Sequence, residues 1–412
     1  MNDKMYWLWL SGIDNMWSKK IEILIKRFGS AEEIYKASKE TILSFYKDYN
    51  NVDENGLKIN SNNQNDTKYL ANDLNKNIQY EYNKNGVREV RKIKGHKVEF
   101  TMEDVNRILD KEYGKKKLED MVKIMDRERM KFTYMGDENF PIKLYDLTTP
   151  VYTLFYIGKL PTRKTCSIIG ARNCSEYGKK YALTVGENLA RGNVEVISGM
   201  ARGIDTYGMY GAYRGGANVY AVLGSGADVC YPKENLEIYE AIKQRGGIIS
   251  EYPPGCLGLP WHFPHRNRII SGLSDCVAVI EARKKSGSLI TVSYAIQEGK
   301  DIYALPGRVS DELSVGCNEL IRDGAAVIFD GREIVFDITG KEIRRRVSKK
   351  ALKNELGDEK YKIYSFLSMT PKSIENISRK ANVSIDIIRS HLLELEMSGY
   401  IVEVTSGYYV RG

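Results

Sequence analysis

Glycine and arginine residues follow several of the apolar runs in this 412-residue sequence, and both suit the binding of phosphate groups. Glycine lets a ligand approach the backbone, helix N-terminal amides favour anions, and an arginine side chain can bind one phosphate through two N–H groups. Serine hydroxyl groups can add further hydrogen bonds. The candidate residues are, in chain order, Gly170, Arg172 and Asn173; Gly199, Arg202 and Gly203; and Ser286, Gly287 and Ser288.

A further segment, residues 259–268, interleaves aromatic residues with arginine. Aromatic side chains stack on unpaired bases, at about 1–3 kcal/mol each, while arginines hold the phosphates. We interpret this segment as a loop whose candidate ligand-binding residues are Phe263, Arg266, Asn267 and Arg268. In the alternative interpretation, Trp261 and Phe263 pack inward and Arg266 pairs with a carboxylate such as that of Glu251.

Motifs for nucleotide cofactors and metals are absent from the sequence. The turn at Gly170 has no GxGxxG spacing, and no GxxxxGK[ST] occurs anywhere, so neither a dinucleotide nor ATP is supported. The six cysteines form no CxxC pair, and His262 and His265 lack obvious partner ligands. We therefore expect no cofactor and no metal.

The elements that must position these residues are short apolar runs separated by longer, helix-like segments. Such alternation predicts an α/β fold with a parallel, doubly wound sheet. Ligands of these sheets bind beyond the carboxyl ends of the strands, where the glycine and arginine residues stand. We therefore expect the turns to form one binding edge.

Composition and hydrophobic pattern divide the chain into six segments. They are a helical module (SAM-like or helix-hairpin-helix-like) at 1–46, a flexible Asn-rich insertion at 47–98, a helical connector at 99–139 with a capping box at Thr101, the sheet domain at 140–335, a basic linker at 336–354, and a winged-helix domain at 355–412.

The predicted winged helix is a weak candidate for reading duplex DNA. A recognition helix needs several Arg, Lys, Asn or Gln side chains on its exposed face. Residues 384–398 offer Arg389 and His391 against three acidic residues, and residues 351–412 carry eight basic and eight acidic residues. This balance favours a protein contact or a weak DNA contact.

The chain has 62 basic and 54 acidic residues, a net charge of +8. Residues 161–330 hold 19 basic and 18 acidic residues, a net charge of +1. The sheet domain would therefore bind nucleic acid through placed arginines and not through a broad basic face. We see no secretory signal and no apolar window of membrane-spanning length, so we expect a cytoplasmic protein with reduced thiols and no membrane partner.

Together these motifs resemble the DprA/Smf family, the DNA-processing protein A of bacteria. The similarity runs in unbroken order through residues 140–330. The segments that carry it are Gly170-Ala171-Arg172, Ser198-Gly199-Met200-Ala201-Arg202-Gly203-Ile204-Asp205, Tyr231-Pro232, Phe263-Pro264-His265-Arg266-Asn267-Arg268, Ser286-Gly287-Ser288-Leu289-Ile290-Thr291 and Ala304-Leu305-Pro306-Gly307.

The resemblance implies an extended Rossmann-like sheet that binds single-stranded DNA without catalysing a reaction. It implies a homodimer formed through that domain, protection of incoming single strands, and loading of the RecA recombinase during natural transformation (competence). It also implies that Arg172, Arg266, Asn267 and Arg268 line the DNA pocket. The sequence departs from the family at Thr206-Tyr207-Gly208, where a small residue followed by Ala-His is usual, and in its long 47–98 insertion.

Two alternatives stay open from the sequence. One is a nucleotide phosphoribohydrolase of the lysine-decarboxylase-like type, which has a related sheet and a Pro-Gly-Gly-x-Gly-Thr signature with a nearby catalytic glutamate. Residues 286–291 stand at that place without the glutamate, although Asp205, Glu251 and Glu281 are available carboxylates. The other is a duplex-binding regulator that acts through the winged helix.

Overall fold

The computed structural model describes residues 1–50, 77–82, 88–93, 99–343, 349–368, 370–398 and 400–411. The chain divides into two compact units, Met1–Ile343 and Arg344–Gly412. Each unit has its own buried apolar core. None of the described helices combines the length and the apolar character needed to cross a membrane.

Helices that pack around buried aromatic and aliphatic side chains open the first unit. Their bounds are α1 (Asp3–Gly12), α2 (Ser18–Phe28), α3 (Ala31–Lys36), α4 (Lys39–Asn50), α5 (Met102–Leu109) and α6 (Lys111–Glu128). The predicted capping box at α5 is confirmed, because Thr101 and Asp104 each accept the other's backbone N–H with the side chain. Such a cap contributes about 1 kcal/mol to helix stability.

The predicted 47–98 insertion lies largely outside the described residues. Within it, α4 continues to Asn50, and β1 (Asn77–Tyr82) pairs antiparallel with β2 (Arg88–Ile93). The arginines of the predicted basic linker, residues 344–346, also lie outside the described residues.

A nine-stranded sheet forms the centre of the first unit, in the order β11-β10-β9-β5-β6-β7-β8-β4-β3. Strands β5 to β11 run parallel, and β4 and β3 add antiparallel pairs at one edge. The bounds are β3 (Met130–Tyr134), β4 (Thr153–Gly158), β5 (Thr165–Ile169), β6 (Glu195–Ser198), β7 (Val219–Leu223), β8 (Gly246–Ser250), β9 (Cys276–Val279), β10 (Asp301–Ala304) and β11 (Ala326–Val327). The predicted helical connector missed β3, whose residues Met130 and Phe132 are buried at alternate positions.

Helices cover both faces of this sheet, so the predicted doubly wound α/β fold is confirmed. They are α7 (Glu176–Arg191), α8 (Ile204–Gly215), α9 (Leu236–Gln244), α10 (His262–Leu273), α11 (Ser288–Gln297), α12 (Val315–Arg322) and α13 (Arg332–Thr339). Successive strand residues point to opposite faces: Ile168 joins the core under α7 and α8, and Ile169 joins the core under α10 and α11. Parallel strands buried on both faces read as continuous apolar runs, which is the pattern seen in the sequence.

The second unit has the predicted winged-helix plan. Its elements are α14 (Lys349–Phe366), β12 (Lys372–Ser373), α15 (Ile374–Ala381), α16 (Ile385–Met397), β13 (Ile401–Thr405) and β14 (Tyr408–Arg411). The strands form an antiparallel sheet in the order β12-β14-β13. Gly357 interrupts α14 with a φ of 74°.

Candidate nucleic-acid interface

The strand order reverses between β5 and β9, which lie side by side in the sheet. The chain adds β6, β7 and β8 on one side of β5, then returns to place β9, β10 and β11 on the other. Ligands of open α/β sheets bind at this reversal, beyond the carboxyl ends of the strands. The turn after β5 touches the turn after β9 there, since a Cβ on Gly170 would lie 2.9 Å from the Glu281 carbonyl oxygen. Glycine is therefore required at position 170.

The turn after β6 packs against the same place. The Ile204 amide donates to the Ala171 carbonyl at 3.1 Å. Gly203 has a φ of 77°, and a Cβ there would collide with the Ala171 and Arg172 carbonyl oxygens. The structure thus brings the predicted residues Gly170, Arg172 and Gly203 together.

Arg172, Asn173 and Arg202 are exposed at this edge, as predicted. Arg202 pairs with Glu234 across the surface. Within the described residues, the Arg172 side chain makes no ion pair or hydrogen bond. Its guanidinium group is therefore available to an anion from solution.

Helix α10 begins at His262, so our prediction of a loop over residues 259–268 is wrong for residues 262–268. Pro264 stands in the first turn of the helix, where a missing N–H costs nothing. Helical spacing places Arg266, Ile269 and Leu273 on the side that faces the sheet. Two of the predicted phosphate ligands, Arg266 and Arg268, are consequently buried.

Arg266 is 5% exposed and donates hydrogen bonds to the backbone at two strand ends. Its Nη1 donates to the carbonyl oxygens of Gly199, at 2.9 Å, and of Val222. Burial lowers the pKa of Arg266 to about 10, and the nearby Asp205 carboxylate opposes that shift. The prediction that Arg266 reaches a phosphate does not fit this position.

Arg268 is 1% exposed and forms an ion pair with Glu251, with Nη2 2.7 Å from Oε1. The same nitrogen donates to Ser18 Oγ at 3.1 Å and to the Pro150 carbonyl at 3.2 Å. Arg268 therefore joins α2 and α10 to the end of β8, and it does not line a DNA pocket. His265 Nδ1 lies 3.5 Å from Glu251, but burial and the charge of Arg268 keep the pKa of His265 well below its usual range, so His265 is neutral.

The aromatic residues near the start of α10 are partly exposed. Trp261 is 61% exposed, so the alternative in which it packs inward is wrong. Phe263 is half-buried: its ring would lie 3.0 Å from a Cβ on Gly224 and stands 5.2 Å from the exposed Tyr231 ring. Trp261 and Tyr231 therefore present faces on which bases can stack.

Two of the predicted anion sites are already occupied by carboxylates of the protein. Glu281 accepts the Ser175 amide at 3.0 Å and the Ser175 hydroxyl, next to the first turn of α7. Asp205 accepts the amides of Gly199, at 3.1 Å, and Ala201, at 3.4 Å. Burial raises the pKa of Asp205, although Arg266 and the amides oppose it. Gly170 and Gly199 thus shape the edge, and their turns do not offer free amide cradles.

The third predicted turn, Ser286, Gly287 and Ser288, lies next to α10. The Asn267 side chain donates to the Gly287 carbonyl at 3.3 Å, and the two serine hydroxyls lie 2.7 Å apart. This turn therefore stands at the same edge as Asn267.

The candidate residues predicted from the sequence do not include Lys285 and Arg308. Both are exposed and follow the parallel strands β9 and β10, so their position after a strand was the signal that could have found them. The described part of the chain contains no group of three or more His, Cys, Asp or Glu side chains placed to hold a metal ion.

Comparison with known proteins identifies the family of this chain. The model of the family "DNA recombination-mediator protein A" matches residues 131–339. This chain belongs to the DNA recombination-mediator protein A family. The model of the DprA winged helix domain matches residues 347–407, which confirms the resemblance to DprA/Smf and makes this chain a DNA-processing family member with a winged helix.

The known relatives align with different shares of this chain. DNA processing protein DprA of Streptococcus pneumoniae is 39% identical over 215 residues, 51% of this chain and 76% of that protein. Protein Smf of Escherichia coli K12 is 28% identical over 328 residues, 75% of this chain and 84% of that protein. A solved structure of DNA processing protein A from Helicobacter pylori, described for its single-stranded DNA binding mode, is 28% identical, with a TM-score of 0.47 over 52% of this chain and 98% of that chain.

Proposed function

We propose that this chain binds single-stranded DNA at the carboxyl edge of its parallel sheet. The observation that carries the proposal is Arg172, exposed at the strand-order reversal without a protein partner among the described residues, at the same edge of the sheet as the exposed rings of Trp261 and Tyr231. A cation beside stacking surfaces suits a strand whose bases are unpaired. Bases stacked inside a duplex would not reach these rings.

The proposal extends to the role of the family. We propose that the chain protects incoming single strands and loads the RecA recombinase onto them during natural transformation, without catalysis and in the cytoplasm. We also propose a homodimer through the sheet domain. Phe329, which is 72% exposed, and Phe336, which is 51% exposed, are apolar side chains of this domain that such a contact would cover.

A fluorescence anisotropy titration tests the DNA-binding proposal. An oligothymidine should bind about tenfold or more tightly than a duplex of equal length. The logarithm of its binding constant should fall with the logarithm of salt concentration, by a slope of about 0.7 for each phosphate contact. Equal affinity for duplex and single strand would overturn the proposal.

The positions of the carboxylates argue against the phosphoribohydrolase alternative. Glu251 is held by Arg268, Glu281 by Ser175, and Asp205 by backbone amides. A general base needs an accessible lone pair, and each of these groups is engaged in holding the fold. Incubation with nucleoside monophosphates should release no base; release that disappears in Glu281→Gln would favour the enzyme instead.

The alternative of a duplex-binding regulator has less support from the second unit. The exposed side chains of α16 include Ile387, Leu393 and Met397, which is 82% exposed. Apolar side chains do not read base edges through hydrogen bonds. Deletion of residues 344–412 should leave most of the single-strand affinity intact, whereas loss of all DNA binding would favour the regulator.

A further inference from the structure

Two cations beyond the predicted site extend its edge. Lys285 follows β9 and Arg308 follows β10, the next two strands in the sheet from β5. Both are exposed, and within the described residues neither side chain forms an ion pair or a hydrogen bond. The two residues before Lys285 do have acidic partners. Lys284 Nζ lies 3.1 Å from Glu319, and Arg283 Nε lies 3.9 Å from Glu312. Lys285 is thus the member of the run 283–285 that pairs with no carboxylate of the described residues.

The turns that carry these cations touch the turns of the proposed site. The Ala282 amide donates to the Leu313 carbonyl at 2.8 Å, which holds the turn after β9 against the turn after β10. The Tyr177 hydroxyl, at the start of α7, donates to the Pro306 carbonyl at 2.8 Å. The edge is therefore continuous from the Arg172 turn to the Arg308 turn.

The spacing of the strands sets the length of this edge. From β10 through β9, β5 and β6 to β7 there are five neighbouring parallel strands. At about 4.8 Å per strand, their carboxyl ends span about 19 Å. A row of cations and aromatic rings of that length suits a chain of phosphates more than a single nucleotide.

We infer that Lys285 and Arg308 form an outer phosphate-binding segment of the single-strand site, an inference that rests on the proposed function. A bound strand runs along the edge from Trp261 and Arg172 to Lys285 and Arg308. Short oligonucleotides occupy the inner part, which contains Arg172. Longer ones reach the outer segment as well.

Oligonucleotide length separates the two segments. We would measure the affinity of wild type, Lys285→Ala and Arg308→Ala for oligothymidines of about three and about fifteen nucleotides, because about three nucleotides cover only the inner part of the edge. At about 0.15–0.2 M salt, loss of one phosphate contact should weaken the long oligonucleotide about threefold to fourfold and reduce its salt slope by about 0.7. The short oligonucleotide should bind as it does to wild type.

Lys284→Ala is the matched control, because it removes the same charge from the next residue, whose ammonium group is paired with Glu319. It should bind both lengths like wild type. Equal losses in Lys284→Ala and Lys285→Ala, equal losses on both lengths, or no loss in either outer variant would overturn the outer segment. A separate result would overturn the proposed function itself, namely wild-type protein that does not prefer single strands to duplex.

Discussion

The two edges of the parallel sheet differ in whether their charged side chains are paired. At the amino edge, Asp275 accepts Lys143 Nζ at 2.6 Å, Lys164 Nζ at 3.2 Å and the Thr165 amide at 2.8 Å. At the carboxyl edge, Arg172, Lys285 and Arg308 are exposed and unpaired within the described residues. The contacts at the amino edge stabilise the fold, whereas the carboxyl edge has exposed cations that no described carboxylate pairs.

A second carboxylate repeats the pattern at the amino edge. Glu195, which is 1% exposed, accepts the amides of Thr162 and Arg163 and the side chain of Asn218 at 2.7 Å. At the carboxyl edge the buried groups Glu251, Glu281 and Asp205 are satisfied in the same way. Burial, more than residue type, therefore separates the arginines that hold the fold from the exposed ones for which we propose DNA binding.

The largest expected effect comes from Glu251→Gln, which leaves Arg268 buried without its counter-charge. Removing one partner of a buried ion pair costs about 3–5 kcal/mol, so the free energy of unfolding should fall by that order. Denaturant titration measures it. Glu240→Gln, at an exposed pair with Lys243, is the control and should change the unfolding free energy by less than about 0.5 kcal/mol. Wild-type stability in Glu251→Gln would show that the pair with Arg268 does not hold the fold.

Next in size is Arg172→Ala, which removes a charged contact to phosphate. Hydrogen bonds to charged groups contribute about 1.5–3 kcal/mol, so single-strand affinity should fall by about tenfold to a hundredfold. The unfolding free energy should stay within about 0.5 kcal/mol of wild type. Arg191→Ala, at the other end of α7, removes an equal charge and should bind normally. Unchanged affinity in Arg172→Ala would contradict the assignment of the carboxyl edge.

Asp275→Asn should affect stability alone. Although burial opposes it, hydrogen bonds from Lys143 and Thr165 lower the pKa of Asp275 from 3.8 to about 2. A carboxylate with a lowered pKa stabilises the folded state above its unfolded pKa, and that contribution is lost as the pH falls from 3.8 through 2. Allowing for partial exposure, Asp275→Asn should lose about 1–2 kcal/mol at neutral pH, and the gap to wild type should close near pH 2. Weaker DNA binding by this variant at neutral pH would contradict the statement that Asp275 affects stability alone.

Local pattern predicted much of the fold. Alternating apolar runs gave the doubly wound sheet, Thr101 gave the capping box, and three helices with a hairpin gave the winged helix. The turn after β5 placed Arg172 at the ligand edge because parallel strands share one carboxyl end. These features depend on neighbours in the sequence.

The burial of Arg266 and Arg268 could not be predicted in this way. The mixture of aromatic, proline and arginine residues around Pro264 suggested a loop, yet proline is tolerated in a first helical turn. Arg268 contacts Ser18, which is 250 residues away in the chain, and Glu251, which is 17 residues away. Burial of a charge depends on such distant partners, and a single sequence does not reveal them.

Crosslinking of a photoreactive oligothymidine to the full chain, followed by mass spectrometry, tests the contrast between the edges most directly. The account predicts crosslinks in the carboxyl-edge turns, at residues 172–173, 261–263 and 285–288, and none around Lys143, Lys164 or Asp275. Crosslinks concentrated at the amino edge, or on the winged helix alone, would contradict it.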